Sequence, residues 1–365
     1  MSIHDNEGAA TAYPSSSSSS CKYSNLRNEL KEGGLDVFAP MKVAWYNDYI
    51  QQLGLLADSS STGYLEMSGE THKNGETTPF GMVPLPEFGP GEDHDDPVDG
   101  SNGNSSSVAF VIGNSKALWP CFLDWLRRKQ QQQHQQQEGK FLIPDDPVDM
   151  YTTELIQHAM ENFATTTSSN ERTMKYDIFL ASDMSPERLV DMNRAAYVSN
   201  LCYFSEDLFL SVHPVFGAWV AFRAVVVIDL TASELGAAGL SSISDTTSMG
   251  TANNNDVDAT TTITSTIMTR TRPPFLPPLL TKEEAIRAKA CLNEAIEASS
   301  SSSSYGSSGT VMSREVAQKW ANMRNCVNLG REYKYTTQQS DYHYTHDPSI
   351  LLECLSILPT SEQIK

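Results

Sequence analysis

The chain has no long hydrophobic run. Nowhere in its 365 residues do apolar side chains continue for the roughly 20 positions that a membrane-spanning helix needs. Positive charge is also scarce, with 26 Lys and Arg against 45 Asp and Glu and a formal net charge of -19. That balance argues against nucleic acid as the main partner, because phosphate binding requires clustered cations. The six cysteines, Cys21, Cys121, Cys202, Cys291, Cys326 and Cys354, are scattered, with no Cys-x-x-Cys and no metal-ligand spacing. Reduced thiols are therefore expected, with neither a disulfide framework nor a metal site. The signatures of common catalytic sites are missing too: no Gly-x-Gly-x-x-Gly after a strand, no Walker loop, no Gly-x-Ser-x-Gly elbow and no His-Glu-x-x-His. The N-terminus is polar and Ser-rich, without a basic or apolar leader region, so a soluble intracellular protein is expected.

What is present centres on one stretch, His213-Pro-Val-Phe-Gly-Ala-Trp219 followed by a near-continuous apolar run to Ile228. Runs of this kind belong to strands covered on both faces. Arg223 interrupts the run, and a guanidinium is rarely buried unless a carboxylate, phosphate or ligand completes its hydrogen bonds. Ahead of it, Pro214 fixes a backbone torsion and Gly217 permits close approach, so 213–219 is expected to be a shaped entry loop. His213 is as suited to stabilising that turn as to chemistry. Together these features suggest a pocket for an anionic small molecule.

Low-complexity segments divide the rest. Residues 1–24 are expected to be a tail, 25–358 one domain and 359–365 a second tail. Solvated insertions are expected at about 59–107, 129–140, 231–272 and 298–312, where Ser, Thr, Gly, Gln and acidic residues dominate. The 231–272 insertion should be removable with little loss of fold. Between them, Val108 to Ile112, Tyr176 to Ala181 and Leu208 to Val212 are expected strands, and Leu118 to Leu126 and Tyr151 to Phe163 expected helices. Ser185-Pro186 is expected to cap a helix running to about Phe204, and Thr281-Lys-Glu-Glu284 fits a capping box ahead of a helix facing inward through Ala285, Ala288, Leu292 and Ile296. Strands and helices alternate irregularly, which favours an α+β class with one compact domain.

Taken in order, several blocks resemble the cyanocobalamin reductase and alkylcobalamin dealkylase family, the cobalamin-processing proteins of the cblC type. They are Val37 to Asn47, Val108 to Leu126, Asp146-Pro147-Val148-Asp149, Cys202-Tyr203-Phe204, and above all His213-Pro214-x-Phe216-Gly217-x-Trp219 with Arg223. The resemblance implies a flavin-nitroreductase-like fold, with a central, largely antiparallel sheet flanked by helices and a cavity for cobalamin bound with its lower base displaced. It implies removal of the upper axial ligand: reductive decyanation with reduced FAD or FMN, and dealkylation in which the glutathione thiolate attacks the cobalt-bound carbon. By position, it assigns cobalamin contacts to Val190, Asp191, Met192 and Asn193, to Phe204, Ser205 and Glu206, and to Ser211, Phe222 and Trp219. Arg223 and Arg324 become glutathione anchors, and His213, Gly217 and Tyr197 shape the pocket; no residue is assigned a catalytic role. A cytoplasmic location and a cobalamin-trafficking adaptor as partner are also implied, while flavin preference and dimerisation stay open.

The chain departs from the family at two places. Tyr197-Val-Ser-Asn200 stands where mammalian members carry His-x-x-Gly, and a further C-terminal arginine has no equivalent near Ser349 and Ile350. The thiol branch therefore rests on fewer residues than cobalamin binding does. Two rival readings follow: a non-catalytic cobalamin carrier, and a flavin-dependent reductase of another substrate.

Overall fold

The computed structural model describes residues 22–55, 82–88, 107–136, 142–167, 174–230, 274–301 and 312–357. The apolar runs become strands β1 (Val37–Lys42), β2 (Val108–Asn114), β3 (Tyr176–Leu180) and β6 (Ala221–Ile228), with a separate hairpin of β4 (Tyr203–Ser205) and β5 (Leu210–Val212). The four long strands form one antiparallel sheet in the order β1-β2-β6-β3. β2 and β6 occupy the centre, which is why their sequences are apolar almost throughout. Pro40, lacking a backbone donor, lies on the edge strand β1.

Alternation divides the sheet into two packed faces. Phe110, Ile112, Ala224, Val226 and Ile228 meet α1 (Lys22–Glu32), α3 (Leu118–Gln136), α4 (Pro147–Thr167) and α9 (Pro348–Ile357). Ala109, Val111, Val225 and Val227 meet α2 (Val43–Gln52) and α5 (Met192–Val198). A third cluster joins the β4–β5 hairpin to α6 (Lys282–Ser301) and α7 (Arg314–Asn325) through Leu208, Leu210, Val212, Ala288, Leu292, Met323 and Val327. Between α7 and α9 lies α8 (Thr337–Thr345). The chain is thus α+β with antiparallel sheets, as expected. No helix among the described residues is long and apolar enough to cross a membrane.

Several expected boundaries are wrong, each for a tertiary reason. Ser185 does not cap a long helix. Only the short 3₁₀ turn Pro186–Arg188 follows it, because Arg188 is held by Asp177, Asp183 and the Ile178 carbonyl. The Leu189 carbonyl then accepts from Val83 N at 3.0 Å, which keeps the chain extended. The helix starts at Met192, where the Asp191 carboxylate accepts from Arg194 N at 3.0 Å. It ends at Val198; Asn200 turns left-handed (φ 59), so Tyr203 and Phe204 are strand residues.

The glutamines expected to open an insertion at 129 instead continue α3 to Gln136, as their fair helix propensity allows. The expected 59–107 insertion contains 82–88, which packs on the core: Leu85 is buried, and Asn47 both donates to its carbonyl and accepts from its N–H. The expected tail ends earlier than residue 24, since α1 begins at Lys22 and Tyr23 is buried. α6 extends into the expected 298–312 insertion as far as Ser301. Its capping box is present, with Thr281 N to Glu284 Oε2 at 2.8 Å and Glu284 N to Thr281 Oγ1 at 3.2 Å. Ala295 takes the inward position expected of Ile296, which is exposed. Residues 231–273 lie outside the described part.

Candidate functional site

Arg223 reaches its position through a break in the strand. Across the β2–β6 ladder Ile112 pairs with Ala224 but Gly113 pairs with Phe222, so Arg223 is the extra residue of a β-bulge. Strict alternation would send Arg223 to the face of Val225 and Val227. The bulge instead puts Phe222 on that face and turns Arg223 toward α4 and α8, on the side of Ala224. Gly113 allows this, because a Cβ there would come within 2.6 Å of the Ala221 carbonyl oxygen.

Two partners hold the guanidinium. Nε donates to Asn114 Oδ1 at 2.8 Å and Nη1 to Asp149 Oδ1 at 3.3 Å. Asn114 is itself fixed, its Nδ2 donating to the carbonyl of Ser115, whose N–H and hydroxyl donate to Asp36. Among the described residues Nη2 has no hydrogen-bond partner. Burial draws the Arg223 pKa below its ordinary value, opposed by Asp149 and two tyrosines, but a guanidinium remains charged at any physiological pH.

A small cleft of about 50 Å³, open to solvent, lies beside it. Its walls are Asn114 from β2, Leu118 and Trp119 from α3, Asp146, Val148 and Asp149 around the start of α4, Tyr335, and Gln339, Tyr342, His343 and His346 on and after α8. Arg324, in the last turn of α7, closes the region behind Tyr335. Its guanidinium lies over the rings of Tyr335 and Tyr344 at 5.8 and 5.7 Å, and Nη2 meets His343 Nε2 at 3.4 Å. Nη1 and the Tyr335 hydroxyl are both buried, and the two side chains interact although neither atom makes a hydrogen bond of good geometry among the described residues. Burial, then Arg324 and Arg223, hold the His343 pKa well below the ordinary histidine value, so the ring is a neutral acceptor. The Gln339 Oε1 is likewise buried and unpaired.

The entry loop is a support for this cleft. His213 Nδ1 accepts from Val215 N at 3.0 Å and Phe216 N at 3.2 Å, and burial pushes its pKa down to about 4. It stabilises the turn. Gly217 (φ 60) and Gly330 (φ 71) let two backbones touch: a Cβ on Gly217 would lie 1.8 Å from the Leu329 carbonyl oxygen, and one on Gly330 2.2 Å from the Phe216 carbonyl carbon. That contact joins the loop to the segment carrying Tyr335. Trp219, 1% exposed, packs behind Tyr335 at 5.4 Å.

The other expected contacts gather elsewhere. Val190 to Asn193, Phe204 to Glu206 and Ser211 form a patch around Arg194, which pairs with Asp191, lies 3.7 Å from Glu206 and sits over Phe204 at 5.5 Å. Ser211 Oγ donates to Asn193 Oδ1 at 2.8 Å, and Asp191 N to Tyr46 Oη at 2.9 Å. Phe222 packs in the second core cluster, and none of these residues lines the cleft. Tyr197 stacks face to face on Phe275 at 4.0 Å. The expected residues therefore separate into two places, with Arg223 lining the cleft and Arg324 behind its Tyr335 and His343 wall. Asn114, Asp149, Gln339, Tyr342 and His343 are the site residues that sequence alone did not select. Asp149 was within reach of inference, through the Asp-Pro-Val-Asp turn.

No family model and no curated protein sequence matches the chain. Among solved structures, a C. elegans B12-trafficking protein CblC, a homologue of human MMACHC, is similar over 93% of this chain and 99% of its own, at 14% identity and a TM-score of 0.48. At that score and identity the likeness decides neither architecture nor activity.

Proposed function

We propose that this chain is a cobalamin-processing enzyme that binds cobalamin and removes its upper axial ligand, with a peptide thiol such as glutathione as co-substrate for alkyl groups. The observation that carries the reading is that Arg223 lines the cleft and Arg324 lies against its Tyr335 and His343 wall, these being the two arginines that the sequence resemblance marks as thiol-peptide anchors. Arg223 has a donor to spare, Arg324 has a buried one that makes no hydrogen bond of good geometry, and Asp146 lines the same cleft. Carboxylates of a zwitterionic peptide would meet the guanidiniums, and its ammonium would meet Asp146. The cleft is too small for a corrin, and a peptide would enter it by one charged end only. Cobalamin is accordingly read as lying over the mouth of the cleft, within reach of the thiol, and the Arg194 cluster, which packs with α5 on the other face of the sheet, is not part of this contact.

In the dealkylation, the thiolate sulfur bonds to the cobalt-bound carbon, the cobalt–carbon pair stays on the metal, and Co(I) and a thioether result. Two guanidiniums beside the thiol would favour its ionised form. The aromatic faces of Trp119, Tyr335 and Tyr342 would limit the water on one side of it. The resemblance further implies a nitroreductase-like architecture and a flavin that supplies electrons for decyanation; no residue here is assigned to it.

The test mixes purified protein with methylcobalamin and cyanocobalamin and follows the visible spectrum before and after adding glutathione or reduced flavin. A shift on mixing, then conversion, is expected. A shift without conversion would make the chain a carrier, and no shift would overturn the assignment.

A further inference from the structure

α6 and α7 pack along one another over the hairpin, and their contact joins two cysteines that lie 35 residues apart in sequence. Cys291 lies midway along α6, and Cys326 is the C-cap of α7. Their Sγ atoms are 3.7 Å apart, and both residues are partly exposed at the rim of the third core cluster. The Cys326 thiol also donates to the Asn322 carbonyl at 3.4 Å, which lays it along the last turn of its helix. Cys202 and Cys354, by contrast, are buried away from solvent. A disulfide needs a sulfur separation of about 2.05 Å. Side-chain rotation at a helix end supplies the remaining approach more readily than rotation within a helix would.

We propose that Cys291 and Cys326 form a reversible disulfide, made by exchange with a low-molecular-weight disulfide and broken by the corresponding thiol. One cysteine thiolate attacks the small disulfide, giving a mixed disulfide and releasing one small thiolate. The second cysteine thiolate then attacks the protein sulfur of that mixed disulfide, forming the Cys291–Cys326 bond and releasing the other small thiolate. Two protein S–H bonds are lost, their protons pass to the released thiolates, and the two electrons given up reduce one small disulfide to two thiols. Burial, and then the contact with Cys291, raise the Cys326 pKa, so the exchange quickens as pH rises above neutrality. The bond clamps the end of α7 to α6. Arg324 lies in that last turn, and the Leu329–Gly330 contact with Gly217 follows shortly after it, so oxidation stiffens one side of the cleft.

The experiment incubates reduced full-length protein with oxidised and reduced glutathione at graded ratios, at neutral and mildly alkaline pH, then blocks free thiols and maps peptides without reduction. The expected result is a Cys291–Cys326 cross-linked peptide pair, two hydrogens lighter than its parts, that disappears on adding reductant. Amide exchange across 322–330 should slow in the oxidised form and recover on reduction. In Cys291→Ser the cross-link should vanish, leaving at most a glutathione adduct on Cys326. The proposal is overturned if wild-type protein gives adducts without the cross-link, if the cross-link needs denaturant, or if amide exchange does not change on oxidation. The cross-link and its reversal are read in the wild type, so they do not depend on how the variant folds.

Discussion

Arg223 and Arg324 are both partly buried arginines, yet their surroundings predict opposite behaviour on removal. Arg223 satisfies Asn114 and Asp149, so Arg223→Met leaves a buried amide and a carboxylate without their partner. A loss of about 1 to 3 kcal/mol of stability is expected, read as a lower urea midpoint. Arg324 has one buried donor without a hydrogen bond of good geometry, and its ring contacts are of the cation-π kind. Arg324→Met should therefore change stability by less than about 1 kcal/mol. If the proposed function holds, both variants should still weaken glutathione binding by about tenfold or more, measured by titration calorimetry. An arginine whose removal harms binding but not folding is one kept for its ligand; stability loss in Arg324→Met equal to that in Arg223→Met would argue for a structural role.

At the scale of elements, the cleft depends on two backbone devices. The bulge in β6 turns Arg223 toward α4, and the Gly217–Gly330 contact fastens the entry loop to the segment before Tyr335. Gly54 offers a control, since it shares the positive φ (65) but has open space where a Cβ would go. Gly54→Ala should lose about 1 kcal/mol from backbone strain alone. Gly217→Ala adds a collision with the Leu329 carbonyl and should lose well over 2 kcal/mol, or fail to fold. Equal urea midpoints for the two variants would show that the loops can part at little cost. The strands around these devices were legible in the sequence, because β2 and β6 are buried on both faces and carry hardly a polar residue. The capping box at Thr281 and Glu284 was legible for the same local reason. The helix starting at Met192 was not, because Arg188 and Leu189 are captured by residues distant in the chain or on a neighbouring strand.

For the whole molecule, two neutral imidazoles set the response to acid. His213 has a folded pKa of about 4 and His343 one well below its ordinary value, both through burial first. Each therefore favours the unprotonated form when folded. Their stabilising effect is complete above the unfolded value of about 6.5 and is lost as pH falls from there toward 4, when the unfolded chain takes up protons that the native state refuses. The urea midpoint should be flat above neutrality and fall between about pH 6.5 and pH 4. In His213→Gln that fall should be shallower, since one proton-linked group is gone. A slope unchanged by the substitution would mean that His213 titrates normally in the native protein.

The sequence by itself determined the α+β class, the buried central strands, the shaped loop at Gly217 and the need for something to satisfy Arg223. Each of these follows from local pattern: periodicity, a cap, a turn residue, a charge in an apolar run. Only the tertiary structure decided that Arg223 pairs with Asp149 and Asn114, that Arg324 lies behind Tyr335, that the Arg194 patch lies apart from the cleft, and that Cys291 meets Cys326. Those outcomes depend on which distant segments share a face. A one-residue bulge in β6 reverses the answer there without leaving a mark that strand periodicity can detect.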